Sequence, residues 1–509
     1  MRRSIFLSVI LAFCTAFLFG CGAAEHSSNA VPQQPIAVID AIPAVDLTKP
    51  LVVSTQPDDV ELARSIEAII SDSAIRNARW GVFVASLKDG RVLIDRDAQM
   101  LFTPASTMKL ITSAAGLDML GPDFRWSTKL QTTSPPAAGR VSGNLYLYGQ
   151  GSPDLNTAGL ERLVDQVRRQ GITTIGGGIV ADASHFRGDL LGQGWSWEDL
   201  QWYYGAPASP LSFNSNFVTL NVTEGEAAVS PRTAPVRVTS EVEYGSGPNT
   251  IGVKRELSSD NIRVWGQGPA MSVRVAMADP AMHAASSLQE LLRGRGVAVG
   301  EPMSVRAWSP FAEREAGNRD DVAAIEGQSL AEAVRGLNKN SVNLTAELVL
   351  RTLGREFGRP PEGGNNRRAS VRGDDAAGAA VIKRWLAEKG ASLQENETIA
   401  DGSGLSRLNL ITPETLGRTL IYASQMPTAG IYRDSLPIAG MDGTLRGRLT
   451  SVRGRILAKT GSIYLVNSLA GYALREDETL VFAIIVNNEP RRGDVNALID
   501  QIASLLVTN

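Results

Sequence analysis

The chain has 509 residues, of which 43% are hydrophobic and 20% charged, so it is long enough for about two or three domains and has the composition of a folded protein. Its formal net charge of −3 argues against a general nucleic-acid binder, because neutralising phosphates requires a basic surface. Both cysteines, Cys14 and Cys21, lie near the N-terminus, so no internal disulfide is expected in the mature protein.

The N-terminus has the pattern of an export signal. In residues 1–21 a basic start precedes an apolar run that is too short for a confident membrane span. Residues 18–21 resemble a bacterial lipoprotein cleavage site, with Cys21 as the residue to be lipidated; simple secretion or a retained anchor are the alternatives. Residues 22–57 are rich in Ala, Ser, Gln and Pro and predict a flexible tether. We therefore expect a periplasmic bacterial protein, held at a membrane by a lipid anchor on Cys21.

The next elements lead to a serine and a lysine at the start of a helix. Residues 60–71 have the apolar period of an amphipathic helix, and two apolar runs around Asp89-Gly90 predict a β-hairpin. Thr103 is a suitable N-cap and Pro104 a suitable first residue for the following helix, which Gly121-Pro122 ends. The expected order is helix, hairpin, helix, with the serine and the lysine in the first turn of the second helix.

Between residues 126 and 317 the pattern changes to short β-rich runs separated by Gly, Pro, Ser and Asn. Helices are expected at 159–170 and 282–293, and we interpret this part as an insertion of one or two subdomains. An aromatic cluster within it consists of Trp195, Trp197, Trp202, Tyr203 and Tyr204. Two interpretations of the cluster stay open: a loop packed on the body of the protein, or a platform for substrate.

Helical periodicity returns after Ser329, and another helix opens at Thr412-Pro413. Three strands at 455–460, 468–474 and 480–486 follow, and a helix ends the chain. Hairpin-connected strands between helices predict an α/β fold of the α+β kind, in which an antiparallel sheet is flanked by helices. The catalytic domain would be split around the insertion, with limits at 58–125, 126–317 and 318–509.

Ser106 and Lys109 are three residues apart, so on a helix they share a face. A serine hydroxyl is a poor nucleophile and needs a base. The three histidines, His26, His185 and His283, lie in the tether and the insertion, and no G-x-S-x-G sequence occurs. No H-E-x-x-H sequence occurs either, so neither a metal nor another cofactor is expected. Lysine is the remaining candidate for the base.

A lysine acts as a base only when its pKa is lowered, by burial or by a second cation. Lys459-Thr460-Gly461, at the end of a predicted strand, offers such a cation. Ser341 and Asn343 add a hydroxyl and an amide in a turn between two helices. S-x-x-K, S-x-N and K-T-G in this order form the set found in penicillin-binding proteins and class A β-lactamases. Each motif alone is weak, and the ordered triple indicates an active site.

Longer segments around these motifs resemble one family, the serine D-alanyl-D-alanine carboxypeptidases/endopeptidases among the low-molecular-mass class C penicillin-binding proteins (S13-type peptidases). The segments that carry the resemblance are Pro104-Ala-Ser-Thr-Met-Lys109, Asn338-Lys-Asn-Ser-Val-Asn343, Asp401-Gly-Ser-Gly-Leu-Ser-Arg407, Leu436-Pro-Ile-Ala-Gly-Met-Asp-Gly-Thr-Leu445 and Ala458-Lys-Thr-Gly-Ser-Ile463. The long insertion between the first two motifs is typical of that family. The resemblance implies a transpeptidase fold of the penicillin-binding and β-lactamase type.

The resemblance also implies the catalytic roles. Ser106 would attack a D-Ala-D-Ala or D-Ala-diaminopimelate bond, with Lys109 taking its proton. Ser341 would relay a proton to the leaving amine, and Asn343 would hold the substrate amide. The expected partners are peptidoglycan stem peptides and β-lactams, with penicillin bound covalently to Ser106.

Substrate binding is assigned in the same way. Lys459, Thr460 and Gly461 would bind the substrate carboxylate, and the backbone N–H groups of Ser106 and Ser462 would form the oxyanion hole. One departure is Ser152, which stands where the family usually has Asp.

Two other functions stay open from the sequence. A β-lactamase or esterase on a related fold is one, although no E-x-x-L-N segment supplies the glutamate that class A β-lactamases use for deacylation. A non-catalytic, wall-binding lipoprotein is the other.

Overall fold

The structure is a computed structural model that describes residues 44–508 except 224–225, 233, 360–372, 393 and 490–493. The predicted export signal, Cys21 and most of the predicted tether lie outside the described residues. The α-helices are α1 (Pro57–Asp72), α2 (Met108–Met119), α3 (Thr157–Arg169), α4 (Pro280–Gly294), α5 (Pro310–Ala316), α6 (Leu330–Asn340), α7 (Asn343–Phe357), α8 (Asp374–Glu388), α9 (Pro413–Gln425), α10 (Ala429–Asp434) and α11 (Val495–Thr508).

The strands form five sheets in the described part of the chain. They are β1 (Arg79–Ser86), β2 (Val92–Arg96), β3 (Arg125–Thr132), β4 (Arg140–Val141), β5 (Leu145–Gly149), β6 (Thr174–Ile175), β7 (Ile179–Ala183), β8 (Phe217–Thr223), β9 (Glu226–Ser230), β10 (Arg237–Tyr244), β11 (Gly252–Arg255), β12 (Asn261–Gly268), β13 (Met271–Ala276), β14 (Ala298–Val299), β15 (Ser304–Ala307), β16 (Asp320–Ser329), β17 (Ile456–Ile463), β18 (Val466–Leu474) and β19 (Thr479–Asn487).

The sheet that carries the site has the order β17-β18-β19-β1-β2, and all its pairs are antiparallel. Strand β1 is buried on both faces. Phe83 and Ala85 point into one apolar core with residues of α2, α7 and α9, whereas Val82 and Val84 point into a second core with residues of α1 and α11. Helices therefore flank both sides of an antiparallel sheet, which confirms the predicted fold class.

A second five-stranded sheet, ordered β15-β7-β5-β3-β16, packs against α3 and α4. Three smaller sheets have the orders β10-β12-β11, β13-β8-β9 and β14-β6-β4. Both helices predicted within the insertion are present, as α3 and α4. The exact limits of the domains remain a prediction.

The last residues of the predicted tether are packed on the body of the protein. Val45 and Leu47 are buried in the core beside α9, and the Leu47 carbonyl accepts a hydrogen bond from Arg418 at 2.8 Å. Ser54 donates its backbone N–H to the Val92 carbonyl at 2.8 Å. Two apolar side chains and an arginine from α9 thus fix a segment that composition alone marked as flexible. No helix within the described ranges is long and apolar enough to span a membrane.

The predicted cap of the serine–lysine helix is wrong. Residues 105–107 form a 3-10 turn, and α2 begins at Met108. Thr103 does not cap the helix, since Pro104 is the residue directly before the turn; the backbone of Thr103 is bonded to Asn487 at the end of β19, through its N–H at 2.8 Å and its carbonyl at 3.1 Å. The turn is held instead by Thr107, which donates to the Pro104 carbonyl at 2.6 Å.

Candidate active site

The serine and the lysine of the first motif are in direct contact. Lys109 Nζ donates a hydrogen bond to Ser106 Oγ at 2.9 Å, and the Lys109 side chain is completely buried. Ser106 lies in the 3-10 turn and Lys109 in the first turn of α2, so the predicted shared face is present.

The ammonium group of Lys109 has three hydrogen-bond partners. Besides Ser106 Oγ, they are Asn343 Oδ1 at 2.6 Å and the Ser403 carbonyl at 2.6 Å. A neutral amine has two N–H groups, which the two carbonyl oxygens can accept, and one lone pair, which remains for the O–H of Ser106. This geometry suits a lysine that takes the proton of the serine hydroxyl.

Burial of its side chain is the main reason why the pKa of Lys109 lies near neutral pH. It lowers the pKa of Lys109 to about 7, against the opposing influence of the Asp401 and Glu347 carboxyl groups. The pKa of Lys459 is lowered well below its usual value, first by burial and then by the charge of Lys109. Of the two causes that the sequence left open for Lys109, the structure therefore supports burial.

The second and third motifs meet each other beside the first. Lys459 Nζ donates to Ser341 Oγ at 2.9 Å and to the Thr460 carbonyl at 2.8 Å. Ser341 ends α6 with a left-handed backbone, φ 57°, which turns the chain towards Asn343 at the start of α7. Thr460 Oγ1 donates to Thr444 Oγ1 at 2.8 Å. Ser341 thus lies in a turn as predicted, whereas Asn343 is the first residue of α7 and Lys459 lies inside β17 rather than at its end.

Gly461 allows β17 to run close to Ser106. A Cβ at this position would lie 3.0 Å from the backbone nitrogen of Ser106 and 2.1 Å from Ser468 Oγ. A larger residue would therefore push the strand away from Ser106. Ser462, the next residue of β17, is exposed.

The aromatic cluster reaches the site. Asn343 Nδ2 donates to the Tyr204 carbonyl at 2.8 Å, which also fixes the orientation of the Asn343 amide towards Lys109. Trp195 Nε1 donates to Asp401 Oδ2 at 2.8 Å. Trp197 and Tyr203 are 59% and 41% exposed, so only part of the cluster is packed on the body.

Sequence reasoning missed the role of Asp401. Its carboxyl group accepts the backbone N–H groups of Gly404 at 2.8 Å and Ser406 at 2.7 Å, and the side-chain amide of Asn409 at 2.6 Å. These bonds shape the loop that presents the Ser403 carbonyl to Lys109. The sequence did contain a signal for Asp401, because the Asp401–Arg407 segment is one of those that resemble the family, but no role was predicted for this residue.

Glu347 was missed as well. It lies one turn after Asn343 on α7 and is completely buried, and it accepts the backbone N–H groups of Gly402 and Ser403. A charged residue on an apolar helix face one turn beyond a motif was the available signal.

The remaining candidates are placed elsewhere. Tyr148 forms a hydrogen bond with His185 Nδ1 at 3.0 Å, and His283 packs against Phe213. Ser152 donates to Asp154 Oδ1 at 2.6 Å. No group of His, Cys, Asp or Glu side chains in the described residues could hold a metal ion. His26 and Cys21 lie outside the described residues.

Comparison with known proteins decides the family. The sequence pattern of the D-Ala-D-Ala carboxypeptidase 3 (S13) family matches residues 62–508. The chain belongs to this family. The predicted resemblance is confirmed, and the protein is a serine D,D-peptidase, a hydrolase.

Two curated relatives of this S13 peptidase illustrate the match. A D-alanyl-D-alanine carboxypeptidase of Actinomadura sp. (strain R39) is 29% identical over 495 residues, which are 92% of this chain and 88% of the relative. The D-alanyl-D-alanine carboxypeptidase DacB of Haemophilus influenzae is 25% identical over 425 residues, which are 80% of this chain and 85% of the relative.

A solved structure supports the fold of the S13 peptidase. Penicillin-binding protein 4 (dacB) of Haemophilus influenzae superimposes with a TM-score of 0.73 at 23% identity, covering 87% of this chain and 98% of that chain. At this level of identity the likeness concerns the fold.

Proposed function

We propose that this S13 peptidase hydrolyses D-Ala-D-Ala or D-Ala-diaminopimelate bonds in peptidoglycan stem peptides through an acyl-enzyme on Ser106. The observation that carries the proposal is the distance of 2.9 Å between Lys109 Nζ and Ser106 Oγ, with two carbonyl acceptors for the other N–H groups of the lysine. A base with one free lone pair and fixed N–H groups faces the hydroxyl that it must deprotonate.

In the proposed acylation, Ser106 Oγ forms a bond to the carbonyl carbon of the scissile peptide while its proton passes to Lys109 Nζ. The C–N bond then breaks, and the proton that Lys109 took from Ser106 passes through Ser341 to the leaving amine, so that Lys109 is neutral again. Ser341 accepts a hydrogen bond from Lys459, so its own proton is free to point at the amine. A water molecule, deprotonated in turn by Lys109, releases the acyl group and restores Ser106.

Different residues of the site are proposed to bind different groups of the substrate. Lys459, Thr460 and Gly461 bind the terminal carboxylate of the stem peptide, and Asn343 holds a substrate amide. The N–H groups of Ser106 and Ser462 stabilise the oxyanion. The close passage of β17 beside Ser106, where a Cβ at position 461 would be crowded, supports this pairing.

Penicillins are expected to acylate Ser106 as well. One structure of the Haemophilus influenzae relative is complexed with a novel β-lactam. The acyl group that penicillin leaves on Ser106 should be hydrolysed slowly, whereas a β-lactamase hydrolyses it rapidly.

We also propose a periplasmic location with a lipid on Cys21. The support is the pattern of residues 1–21, in which a basic start and an apolar run end at a cysteine. Metabolic labelling with a fatty acid, lost in Cys21→Ser, is the expected result; equal labelling of both proteins would contradict it.

Purified muropeptides test the proposed activity. Wild type should release terminal D-Ala, cleave D-Ala-diaminopimelate cross-links, or do both, and Ser106→Ala should do neither. Chromatography of the products distinguishes the two bonds. Equal product from wild type and Ser106→Ala would contradict the proposal.

A further inference from the structure

Glu347 lies behind Lys109, one helical turn after Asn343 on α7, and its side chain is fully buried. Its Oε1 accepts the backbone N–H of Gly402 at 3.1 Å and that of Ser403 at 2.8 Å. The carbonyl of the same Ser403 accepts the hydrogen bond from Lys109 Nζ at 2.6 Å. One carboxyl group therefore fixes the residue whose carbonyl holds the base.

Charged and titratable groups face this carboxyl from three elements. Lys109 comes from α2, with Lys459 beyond it on β17; Asp401 comes from the loop that contains Ser403, and Arg351 from the next turn of α7. Burial and then the charge of Asp401 raise the pKa of Glu347 to about 8, although Arg351 acts in the opposite direction.

The second oxygen of Glu347 has a different environment from the first. Oε2 has no hydrogen-bond partner within the part of the chain that the structure describes. A buried oxygen without a partner costs more free energy in a charged carboxylate than in a neutral carboxyl group. Complete burial and the nearby charge of Asp401 therefore favour the protonated acid, whereas the backbone N–H bond from Ser403 and the charge of Arg351 favour the carboxylate; burial is the largest of these effects.

We propose that Glu347 is a positioning residue of this serine peptidase: it fixes the Ser403 carbonyl on Lys109 Nζ, and it does so as a neutral carboxylic acid. The inference rests on the proposed function. A carboxylate at this position would keep Lys109 as an ammonium ion, because an opposite charge favours the charged form. The protonated acid keeps both backbone N–H bonds through its carbonyl oxygen without adding that charge.

Two substitutions test the positioning role. Glu347→Gln is neutral and keeps an acceptor for Gly402 and Ser403, so the rate constant of penicillin acylation should stay within about threefold of wild type. Glu347→Leu has no acceptor and leaves two buried N–H groups without a partner, so acylation should slow about tenfold to a hundredfold. A Gln variant as slow as the Leu variant, or a folded Leu variant as fast as wild type, overturns the proposal.

Glu397 supplies the matched control. It is buried, and its carboxyl group accepts hydrogen bonds from the Thr412 N–H at 2.8 Å and from Ser392, rather than from the loop that holds Lys109. Glu397→Leu should lower the melting temperature and leave the acylation rate unchanged. If it slows acylation as much as Glu347→Leu does, the effect is general destabilisation and the positioning role is refuted.

Infrared difference spectra between wild type and Glu347→Gln measure the protonation state directly. A carboxylic-acid carbonyl band is expected at neutral pH, and it should disappear as the pH rises through about 8. A carboxylate band throughout the neutral range overturns the neutral-acid assignment, whether or not Glu347→Leu folds. A wild type that penicillin does not acylate would refute the proposed function instead, and the spectra would still decide the protonation of Glu347.

Discussion

Trp195 donates its indole N–H to Asp401 Oδ2 at 2.8 Å, so a residue between β7 and β8 helps to hold the loop that presents the Ser403 carbonyl to Lys109. The same stretch supplies the Tyr204 carbonyl, which orients the Asn343 amide. Residues of the predicted insertion thus contribute directly to the environment of the base.

Replacing Trp195 should therefore affect both stability and acylation. Trp195→Phe keeps an aromatic ring but removes the donor, which should lower the free energy of unfolding by about 1–3 kcal/mol. Acylation by penicillin should slow because the Asp401 loop is held less firmly. Trp197→Phe, at a residue that is 59% exposed, is the control and should change neither quantity measurably. Equal effects of the two substitutions would contradict this interpretation.

The pH dependence of the acylation rate should follow the protonation state of Lys109. Since burial lowers the pKa of Lys109 to about 7, the neutral amine predominates above that pH and the ammonium ion below it. The acylation rate constant should fall about tenfold for each pH unit below the apparent pKa. Stopped-flow measurement with a chromogenic β-lactam tests this. A rate that does not change over the whole acidic range would contradict the role of Lys109 as the base.

Lys109→Arg provides the companion variant. A guanidinium group stays protonated at every accessible pH, so acylation should fall about 100- to 10,000-fold. The variant retains the positive charge, so a full loss separates proton transfer from charge. An Arg variant that acylates at the wild-type rate would rule out general-base catalysis at this position.

Removing the cation of the third motif should mainly weaken substrate binding. Lys459→Met loses the donor to Ser341 Oγ and the proposed partner of the substrate carboxylate, so the second-order acylation constant should fall about tenfold to a hundredfold. Because burial is the main cause of the lowered pKa of Lys109, the acidic limb of the pH profile should move little. A large shift of that limb towards higher pH would show that Lys459 controls the proton affinity of Lys109.

Gly404 packs against the residue before the nucleophile. A Cβ there would lie 1.8 Å from the Ala105 carbonyl oxygen, and its φ of +81° is unfavourable for other residues. Gly404→Ala should therefore cost at least about 1–3 kcal/mol of stability and slow acylation. Gly336→Ala is the control, since nothing lies within 4 Å of its added Cβ. It should stabilise α6 by about 0.5–1 kcal/mol and leave acylation unchanged.

The sequence predicted the groups that are proposed to perform the reaction but not the residues that support them. Spacing along a helix suffices to place Ser106 beside Lys109, and the order of the motifs adds Ser341, Asn343 and Lys459. Asp401 and Glu347 act through backbone N–H groups of a distant loop. Such contacts depend on how α7 packs against that loop, which no local pattern encodes.

The two incorrect predictions, the helix cap at Thr103 and the flexibility of the last tether residues, have the same cause. Thr103 and Pro104 have the residue types of a helix start, yet the Thr103 backbone is bonded to Asn487, 384 residues later in the chain, and α2 begins only at Met108. Val45 and Leu47 lie in a stretch of tether-like composition but are buried beside α9. In both places a long-range contact overrides the local preference.

The most direct test of the account is to locate a penicillin adduct by mass spectrometry of the digested protein. Wild type should gain the mass of one penicillin on the peptide that contains Ser106, and Ser106→Ala should gain none. Lys109→Arg, which keeps the serine but holds the base protonated, should be labelled far more slowly than wild type. An adduct on another residue, or equal labelling of wild type and Ser106→Ala, would contradict the assignment of Ser106 as the nucleophile.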